Sequence, residues 1–452
     1  MLNLCDLSVE EMTGLNYKCS CGKNHSVGIE TIKVGKGVIT QLPNVIKAYE
    51  GKKVFIIEDS HTYEVAGEKV EELLKNRFKV SKYVFKEEHL HPNELSLGRL
   101  LLEIPVETSL IIAVGSGTIN DISRFLGCKL RIPYVIVGTA PSMDGYASVV
   151  SPLIRDGVKV TYDGVYPLAI VCDIDIMKEA PMRMLQAGLG DILGKYTALA
   201  DWHIANKLNN EYFCPEVEKL VLSTLKKCEE AAAGVTSRDA KTVENITDAL
   251  ILSGIAIGMV GASRPASGGE HYISHCYEMM FMNSGDNSKW LHGNTVGVGV
   301  GVVAYAYKYT KDLDINEILK KGDYKHIDKI KWIKNITDVF TISATNIIEF
   351  KQESINFNEQ EREVTMHKIL EHWSDLKNIC DTKVPGPEEI INTLKKAGAV
   401  WDPKELGLSK EIFRKSLIAA KDMRNRYGIL QLLEDIGKLD DAASYITNIY
   451  YK

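Results

Sequence analysis

Residues 110–121 decide the fold: Leu110-Ile-Ile-Ala-Val-Gly-Ser-Gly-Thr-Ile-Asn-Asp121. An uninterrupted apolar run such as 110–114 is typical of a strand that is buried on both faces of a parallel sheet. The glycines that follow let the backbone approach a phosphate closely, and a helix beginning there would offer N–H groups to an anion. The stretch therefore predicts a strand, a phosphate-binding turn and a helix, with an ordinary tight turn as the alternative.

Further apolar runs around this stretch predict an α/β fold, because buried strands alternate with helical patterns. Strands are expected at 53–57, 134–137 and 168–172, with a helical period over 65–78. After about residue 176 strand signals nearly vanish, and helices are predicted at 178–208, 215–234, 241–262, 266–282, 294–309, 361–379, 387–397 and 409–436. We therefore expect a Rossmann-like nucleotide-binding domain at 1–175 and an all-helical domain at 176–452.

The composition is that of an ordinary globular protein. Of 452 residues 45% are hydrophobic and 25% are charged, and the net charge of −6 argues against a nucleic-acid or anionic-membrane partner. The N-terminus lacks the basic and apolar regions of a signal peptide, and the apolar run 249–262 is shorter than a membrane span, so we expect a buried helix and a cytoplasmic protein. The odd number of scattered cysteines favours reduced thiols.

Two other sequence features extend the predicted nucleotide site. Asp59 follows the strand 53–57 and could accept hydrogen bonds from a ribose, or could simply cap a helix. A second loop, Gly138-Thr-Ala-Pro-Ser-Met-Asp-Gly145, follows the strand 134–137, and its small and hydroxyl residues suit the nicotinamide half of a cofactor. Asp144 would face the same crevice, unless the loop is an ordinary turn with a solvated aspartate.

A metal site is indicated by one aspartate and several scarce histidines. Asp191 lies in an expected helix, and His271 and His275 are four residues apart, which places both imidazoles on one helical face. His292 precedes a glycine-rich apolar helix, and the whole chain has only 11 histidines. One carboxylate with two or three imidazoles suits a divalent first-row metal, whereas any single histidine could be an ordinary core residue.

Two further segments carry polar residues. Arg264, within Ser263-Arg-Pro-Ala-Ser-Gly-Gly-Glu270, can bind a phosphate or carboxylate with both arms of its guanidinium, or can form an interdomain salt bridge. Cys19-Ser-Cys-Gly-Lys-Asn-His25 suggests a zinc knuckle, but it supplies three ligands where a structural zinc site has four. We therefore predict a β-hairpin turn for that segment.

Taken together, five motifs resemble the iron-containing alcohol dehydrogenase and glycerol dehydrogenase superfamily, and within it the bacterial-type sn-glycerol-1-phosphate dehydrogenases. The motifs are GSGTIND, VGTAPSMDGYAS, GLGDILGKYTA, SRPASGGEH and LHGNTVGVG, in the family's order. The resemblance implies a homodimer of phospholipid metabolism that reversibly reduces dihydroxyacetone phosphate with NADH or NADPH. It also implies a divalent metal, which is nickel, zinc or iron in relatives.

The resemblance assigns roles to individual residues. The residues implied at the cofactor are Asp59, Gly115, Ser116, Gly117, Thr118, Ile119, Thr139, Ala140, Pro141, Ser142 and Ser148. Asp191, His271 and His292 would ligate the metal, and Asp144, Asp191, Arg264 and His275 would contact substrate. Asp144 and His275 are the catalytic candidates, and His275 or a metal-bound water would relay the proton.

Two departures from the superfamily pattern qualify these roles. Many members have a histidine four residues after the ligand aspartate, where this chain has Lys195, so Lys195 is not expected to bind metal. Residues 423–428 only approximate the family's Arg-Asp-Arg-Tyr-Thr pattern, which leaves the roles of Arg424 and Arg426 open. The alternatives are a dehydrogenase of unphosphorylated polyols, a dehydroquinate synthase-like lyase, and a nucleotide-sensing module without catalysis.

Overall fold

A computed structural model describes residues 3–87, 89–155, 158–285, 290–355 and 357–452. The strands are β1 Asn16–Lys18, β2 Asn24–Ser26, β3 Thr31–Gly35, β4 Lys53–Asp59, β5 Lys79–Phe85, β6 Thr108–Gly115, β7 Tyr134–Gly138, β8 Val150–Arg155, β9 Val158–Asp163 and β10 Ala169–Asp173.

The first ten helices are α1 Leu42–Val45, α2 Ser60–Thr62, α3 Glu68–Leu74, α4 Glu94–Glu103, α5 Gly117–Leu130, α6 Ile174–Met177, α7 Met182–Leu193, α8 Lys195–Asn209, α9 Pro215–Glu230 and α10 Ala240–Val260. The remaining helices are α11 Gly269–Asn283, α12 His292–Lys311, α13 Ile315–Lys321, α14 Lys329–Phe340, α15 Ala344–Gln352, α16 Glu359–Thr382, α17 Pro387–Lys396, α18 Lys410–Ala419, α19 Ile429–Asp435 and α20 Leu439–Tyr450.

The chain forms two compact units. The first unit contains the residues up to Ile192 together with Pro215–Ser263, and the second contains Leu193–Cys214 and Arg264–Lys452. Relative to the boundary expected near residue 175, the first unit also includes residues 176–192, with most of α7, and helices α9 and α10. The predicted α/β region followed by a helical region is confirmed.

A six-stranded parallel sheet forms the centre of the first unit, in the order β3–β10–β7–β6–β4–β5. The inner strands β4, β6, β7 and β10 are almost entirely buried, as their unbroken apolar runs predict. Two antiparallel hairpins, β1–β2 and β8–β9, lie outside this sheet. The hairpin predicted around Cys19 to His25 is thereby confirmed.

The strand order reverses between β4 and β6. The chain passes from β4 outward to β5 and then returns to β6 on the other side of β4. In open α/β sheets a ligand binds outside the carboxyl ends of the strands at such a reversal. Asp59 ends β4 and Gly115 ends β6, so both predicted cofactor residues lie at this position.

Helix α10 is the core helix of the first unit. It is long and apolar enough to cross a membrane by composition, but 78% of its most apolar window is buried inside the protein. The interpretation of 249–262 as part of a buried helix is therefore confirmed. Helix α9 packs along α10, and the Sγ of Cys228 lies 3.4 Å from the carbonyl oxygen of Asn245.

The helices of the second unit pack closely around α11 and α12. A Cβ atom at Gly299 of α12 would lie 2.6 Å from the carbonyl oxygen of Glu270 in α11, so only glycine permits this approach. Asp201 of α8 joins several elements, because it accepts hydrogen bonds from the amides of Gly269 and Ile429 and from the hydroxyl of Tyr307. These contacts fix the start of α11, which carries two of the predicted site histidines.

Candidate active site

The two predicted cofactor loops lie side by side in the first unit. Strands β6 and β7 are neighbours, with Gly115 opposite Gly138 in register, so both loops leave the same edge of the sheet. The amide of Thr139 donates a hydrogen bond of 3.2 Å to the carbonyl of Gly115. Helix α5 begins at Gly117, directly after β6, and the side chain of Ser116 does not cap its first turn.

Glycines permit the second loop to lie over the start of α5. A Cβ atom at Gly117 would lie 2.9 Å from the sulfur of Met143, and one at Gly145 would lie 2.6 Å from the same sulfur. At Gly188 of α7 a Cβ atom would meet the carbonyl oxygen of Pro141 at 2.0 Å. The loop is therefore held between two helices at positions where a larger residue would displace it.

Asp144 and Asp191 are directly connected in the first unit. The amide of Asp144 donates a hydrogen bond of 2.9 Å to Oδ2 of Asp191, which is fully buried on α7. The hydroxyl of Ser253, on α10, donates a hydrogen bond of 2.9 Å to Oδ2 of Asp144. The loop after β7 is thereby tied to the predicted metal ligand, and Ser253 orients the Asp144 carboxylate.

Three histidines converge in the second unit. The ring centroids of His271 and His292 are 5.1 Å apart, those of His275 and His292 are 5.3 Å apart, and those of His271 and His275 are 6.0 Å apart. His271 and His275 lie on α11, whereas His292 is the first residue of α12. The structure thus brings together the histidines that the sequence singled out.

A carboxylate lies behind each histidine. The distance from Nδ1 of His271 to Oε1 of Glu270 is 2.7 Å, and Glu278 lies 2.6 Å from Nδ1 of His292 and 3.2 Å from Nδ1 of His275. Such contacts place the proton on Nδ1 and make Nε2 the metal-binding nitrogen, as in many protein metal sites. The histidines therefore fit a divalent metal.

Glu278 is itself a possible ligand. Donor atoms of His275, Glu278 and His292 lie within 4.8 Å of one another. Because both of its carboxylate oxygens face Nδ1 atoms, Glu278 is better suited to orient the two imidazoles than to bind the metal directly.

Glu270 is held in place by a buried network. Its carboxylate accepts hydrogen bonds from the amide of Gly268 at 2.7 Å and from the hydroxyl of Thr197 at 2.5 Å. Burial raises the pKa of Glu270 to about 7, and the hydrogen bonds from Thr197 and Gly268, together with the charge of Lys195, partly oppose this rise. Lys195 donates a hydrogen bond of 3.0 Å to the carbonyl of Ala266, so its side chain supports the segment before α11.

Arg264 binds a carboxylate of the protein itself with two nitrogens of its guanidinium. Its Nε donates a hydrogen bond of 2.6 Å to Glu211, a second nitrogen contacts the other carboxylate oxygen, and Nη1 donates to the carbonyl of Tyr427 at 2.8 Å. These bonds lie within the second unit, so they are not an interdomain salt bridge, and the contact of Arg264 with substrate stays a prediction. Its donors already serve an internal ion pair.

The start of α11 is also occupied by the protein's own carboxylates. The amide of Gly268 donates to Glu270, and that of Gly269 donates to Asp201 at 2.8 Å. The amides of this glycine segment therefore bind anionic groups that belong to the protein itself.

Asp59 acts as a helix cap in this structure. Its Oδ1 accepts a hydrogen bond of 2.8 Å from the amide of Thr62, and the amide of Asp59 donates one of 2.9 Å to the hydroxyl oxygen of Thr62. Capping and ribose binding are compatible, since a carboxylate has a second oxygen. The ribose contact stays a prediction.

Several side chains of these networks were not predicted as site residues, among them Glu211, Ser253, Glu270 and Glu278. The signal for Glu270 is its position next to His271, and for Glu278 its position three residues after His275 on the same helical face. Ser253 and Glu211 carry no local signal, because the residues that they contact are distant in sequence.

Comparison with known sequences is consistent with this geometry. Residues 33–181 match the family described as iron-containing alcohol dehydrogenase. Glycerol-1-phosphate dehydrogenase (NAD(P)+) of Halalkalibacterium halodurans is 40% identical over 285 residues, which are 62% of this chain and 71% of the relative. The enzyme of the same name from Geobacillus thermodenitrificans is 30% identical over 433 residues, which are 95% of this chain and 98% of the relative.

Solved structures share the fold at low sequence identity. Glycerol dehydrogenase from Schizosaccharomyces pombe matches with a TM-score of 0.61 at 16% identity, covering 93% of this chain and 90% of that one. Sulfoacetaldehyde reductase from Bifidobacterium kashiwanohense, in complex with NAD+, matches with a TM-score of 0.60 at 14% identity, covering 94% and 98%. At these identities the likeness shows the fold alone.

Proposed function

Because the chain belongs to the glycerol-1-phosphate dehydrogenase family of the iron-containing alcohol dehydrogenases, we propose that it reversibly reduces dihydroxyacetone phosphate to sn-glycerol 1-phosphate with NADH or NADPH. The observation that carries the proposal is the set of three converging histidines, each backed by a carboxylate, in a chain that matches such a dehydrogenase along almost its whole length. The protein would act in the cytoplasm on a small molecule, as a homodimer.

The cofactor would bind at the strand reversal of the first unit. The amides at the start of α5, from Gly117 onward, would receive the pyrophosphate, because a helix N-terminus favours an anion. The loop 139–148 would contact the nicotinamide half, and Asp59 would accept hydrogen bonds from the ribose. Gly115 ends the buried strand β6 and α5 begins two residues later at Gly117, which supports this placement.

We propose Asp191, His271 and His292 as the ligands of the metal. The full burial of the Asp191 carboxylate and the carboxylates behind both imidazoles support this choice. When bound, a divalent metal supplies Lewis-acid polarisation of the substrate oxygen. The protein groups position the reactants and exclude water around the hydride transfer.

His275 is the proposed proton relay. It is 9% exposed, and Glu278 lies 3.2 Å from its Nδ1, so the carboxylate orients the ring and leaves Nε2 for proton transfer. During reduction its Nε2 would donate to the substrate oxygen, and during oxidation it would accept that proton again. Asp144, oriented by Ser253, would contact the substrate hydroxyl groups.

With Arg264 engaged by Glu211, we assign the substrate phosphate to Arg424 and Arg426. Burial lowers the pKa of Arg424, and the positive charge of Arg426 lowers it further. A bound anion offsets the repulsion between two neighbouring guanidinium groups, and each planar guanidinium can donate two hydrogen bonds to a phosphate. This assignment would explain a preference for phosphorylated substrate.

Substrate comparison tests the function. Oxidation of NADH or NADPH is measured with dihydroxyacetone phosphate and with dihydroxyacetone, and cofactor reduction is measured with glycerol 1-phosphate, glycerol 3-phosphate and glycerol. We expect the highest kcat/KM for dihydroxyacetone phosphate and for glycerol 1-phosphate. Preference for the unphosphorylated compounds, or no net turnover of cofactor, would contradict the proposal.

A further inference from the structure

The β1–β2 hairpin presents two thiols and an imidazole at one place. The turn between the strands is closed by a hydrogen bond of 2.9 Å from the amide of Cys19 to the carbonyl of Lys23, and Gly22 supplies a positive φ of 90°. Donor atoms of Cys19, Cys21 and His25 lie within 4.8 Å of one another. The Sγ of Cys21 is 3.4 Å from Nε2 of His25.

The imidazole of His25 is fixed in the orientation of a metal ligand. The side chain is fully buried, and Nδ1 lies 2.8 Å from the carbonyl oxygen of Met259 near the end of α10. A carbonyl can only accept a hydrogen bond, so Nδ1 carries the proton and Nε2 keeps its lone pair toward the thiols. This backbone contact is how many metal-binding histidines are oriented.

The packing of α9 against α10 indicates where the first residue of α9, Pro215, lies relative to the end of α10. Cys228, near the end of α9, contacts Asn245, near the start of α10. Because a short connection joins two helices that pack side by side, we infer that they run in opposite directions. Pro215 lies as many residues before Cys228 in α9 as Gly258 lies after Asn245 in α10. Every residue of an α-helix adds the same rise, so these two separations span the same length. Pro215 is therefore level with the end of α10 that His25 contacts.

Cys214 immediately precedes Pro215 and is fully buried. We propose that Cys19, Cys21, His25 and Cys214 bind a structural zinc ion. Three thiolates and one imidazole complete the four-ligand set of closed zinc sites, which the hairpin alone lacks. The ion would tie the N-terminal hairpin to the α9–α10 helix pair.

This site differs chemically from the proposed catalytic one. Its ligands are mostly thiolates, which prefer zinc, and all four coordination positions are filled by protein. The catalytic set has a carboxylate and imidazoles with an open position. The two sites can therefore be removed independently by substitution.

Metal content of the purified full-length enzyme tests the proposal. Wild type, C21S and C214S are produced in zinc-supplemented medium and analysed by inductively coupled plasma mass spectrometry. We expect each variant to hold one zinc per chain fewer than wild type. As matched controls, C128S, which changes a partly exposed cysteine of α5, keeps that zinc, and H271A keeps it while losing the other metal. Equal zinc in wild type and in both hairpin-site variants would overturn the proposal.

Cobalt substitution keeps the test valid if a variant does not fold. Wild-type enzyme stripped of metal in the presence of a thiol reductant is titrated with Co²⁺. We expect a sulfur-to-cobalt charge-transfer absorption that Zn²⁺ abolishes and that H271A retains. Absence of this band in folded wild-type protein would overturn the proposal, as would recovery of two of the cysteines as a disulfide in protein purified without reductant.

Discussion

Oε1 of Glu278 lies 2.6 Å from Nδ1 of His292, and its other carboxylate oxygen lies 3.2 Å from Nδ1 of His275. One carboxylate thus orients two imidazoles that belong to different helices, α11 and α12. It holds the proton on Nδ1 of each ring, so that Nε2 of His292 can bind the metal and Nε2 of His275 can take part in proton transfer. The geometry makes Glu278 a positioning residue for both the proposed metal ligand and the proposed proton relay.

Removing this carboxylate should weaken metal binding. We expect Glu278→Ala to lower metal affinity about 10–100-fold, the usual effect of losing a group that orients a metal ligand. The measurement is a titration of metal-free enzyme, followed by NADH oxidation at saturating metal. Glu371→Ala, at an exposed position of α16, is the matched control and should bind metal like wild type. Unchanged affinity in Glu278→Ala would refute the positioning role.

Asp59 can be tested for ribose binding separately from helix capping. Asp59→Ser keeps an N-cap residue, so Tm should stay near that of wild type while KM for NADH rises by about tenfold, because a charged hydrogen-bond acceptor is lost. Asp59→Ala should additionally cost about 1 kcal/mol of stability. If Asp59→Ser has the wild-type KM for NADH, Asp59 is only a cap.

Arg264 and Arg424 should respond differently to substitution. Arg264→Lys loses the two-armed contact with Glu211, so we expect a lower Tm with KM for dihydroxyacetone phosphate within about threefold of wild type. Arg424→Gln should raise that KM by about tenfold or more, since a charged contact to phosphate is removed. Steady-state kinetics with dihydroxyacetone phosphate and thermal unfolding decide between them. If Arg264→Lys raised this KM by about tenfold and Arg424→Gln left it unchanged, Arg264 and not Arg424 would be the residue that binds the substrate phosphate.

Glu58 should make stability depend on pH. The side chain is fully buried at the end of β4, and neither carboxylate oxygen has a hydrogen-bond partner within the part of the chain that the structure describes. Burial raises the pKa of Glu58 from 4.5 to about 7, and the charge of Lys82 partly opposes this. The folded state therefore favours the protonated carboxyl, and its stability falls as pH rises from the unfolded pKa through the folded one.

The substitution Glu58→Gln removes this titration. The unfolding free energy of the variant minus that of wild type should increase by about 3 kcal/mol as pH rises from about 4.5 to about 8. This increase does not depend on how the two proteins differ in stability at low pH. Thermal unfolding of both proteins across this range gives the difference. Parallel Tm curves for variant and wild type would show that Glu58 does not titrate with a raised pKa.

The sequence predicted the centre of the sheet but not its edges. Strand β6 was recognisable because both of its faces are buried, which leaves an unbroken apolar run. Edge strand β5 is half-exposed and carries Lys79 and Lys82, so its pattern resembles that of a loop. The helix predicted over 409–436 is divided at 424–428, because packing around Tyr427 overrides the local helical period.

The site residues were predictable to the extent that their types are scarce. Histidines are few, so His271 and His292 stood out, whereas Glu270 and Glu278 are two of 60 acidic residues. Burial and the direction of a side chain decide which glutamate orients a histidine, and neither is visible in a local pattern. The same limit applies to Arg264, because its partner Glu211 is brought to it only by tertiary packing.

Product analysis on enzyme of known metal content tests the central claim most directly. Metal-free and metal-reconstituted protein are each incubated with dihydroxyacetone phosphate and NADH, and the configuration of the glycerol phosphate formed is determined. We predict sn-glycerol 1-phosphate from the reconstituted enzyme and a loss of most turnover in the metal-free enzyme. Full activity without metal, or formation of sn-glycerol 3-phosphate, would contradict the account.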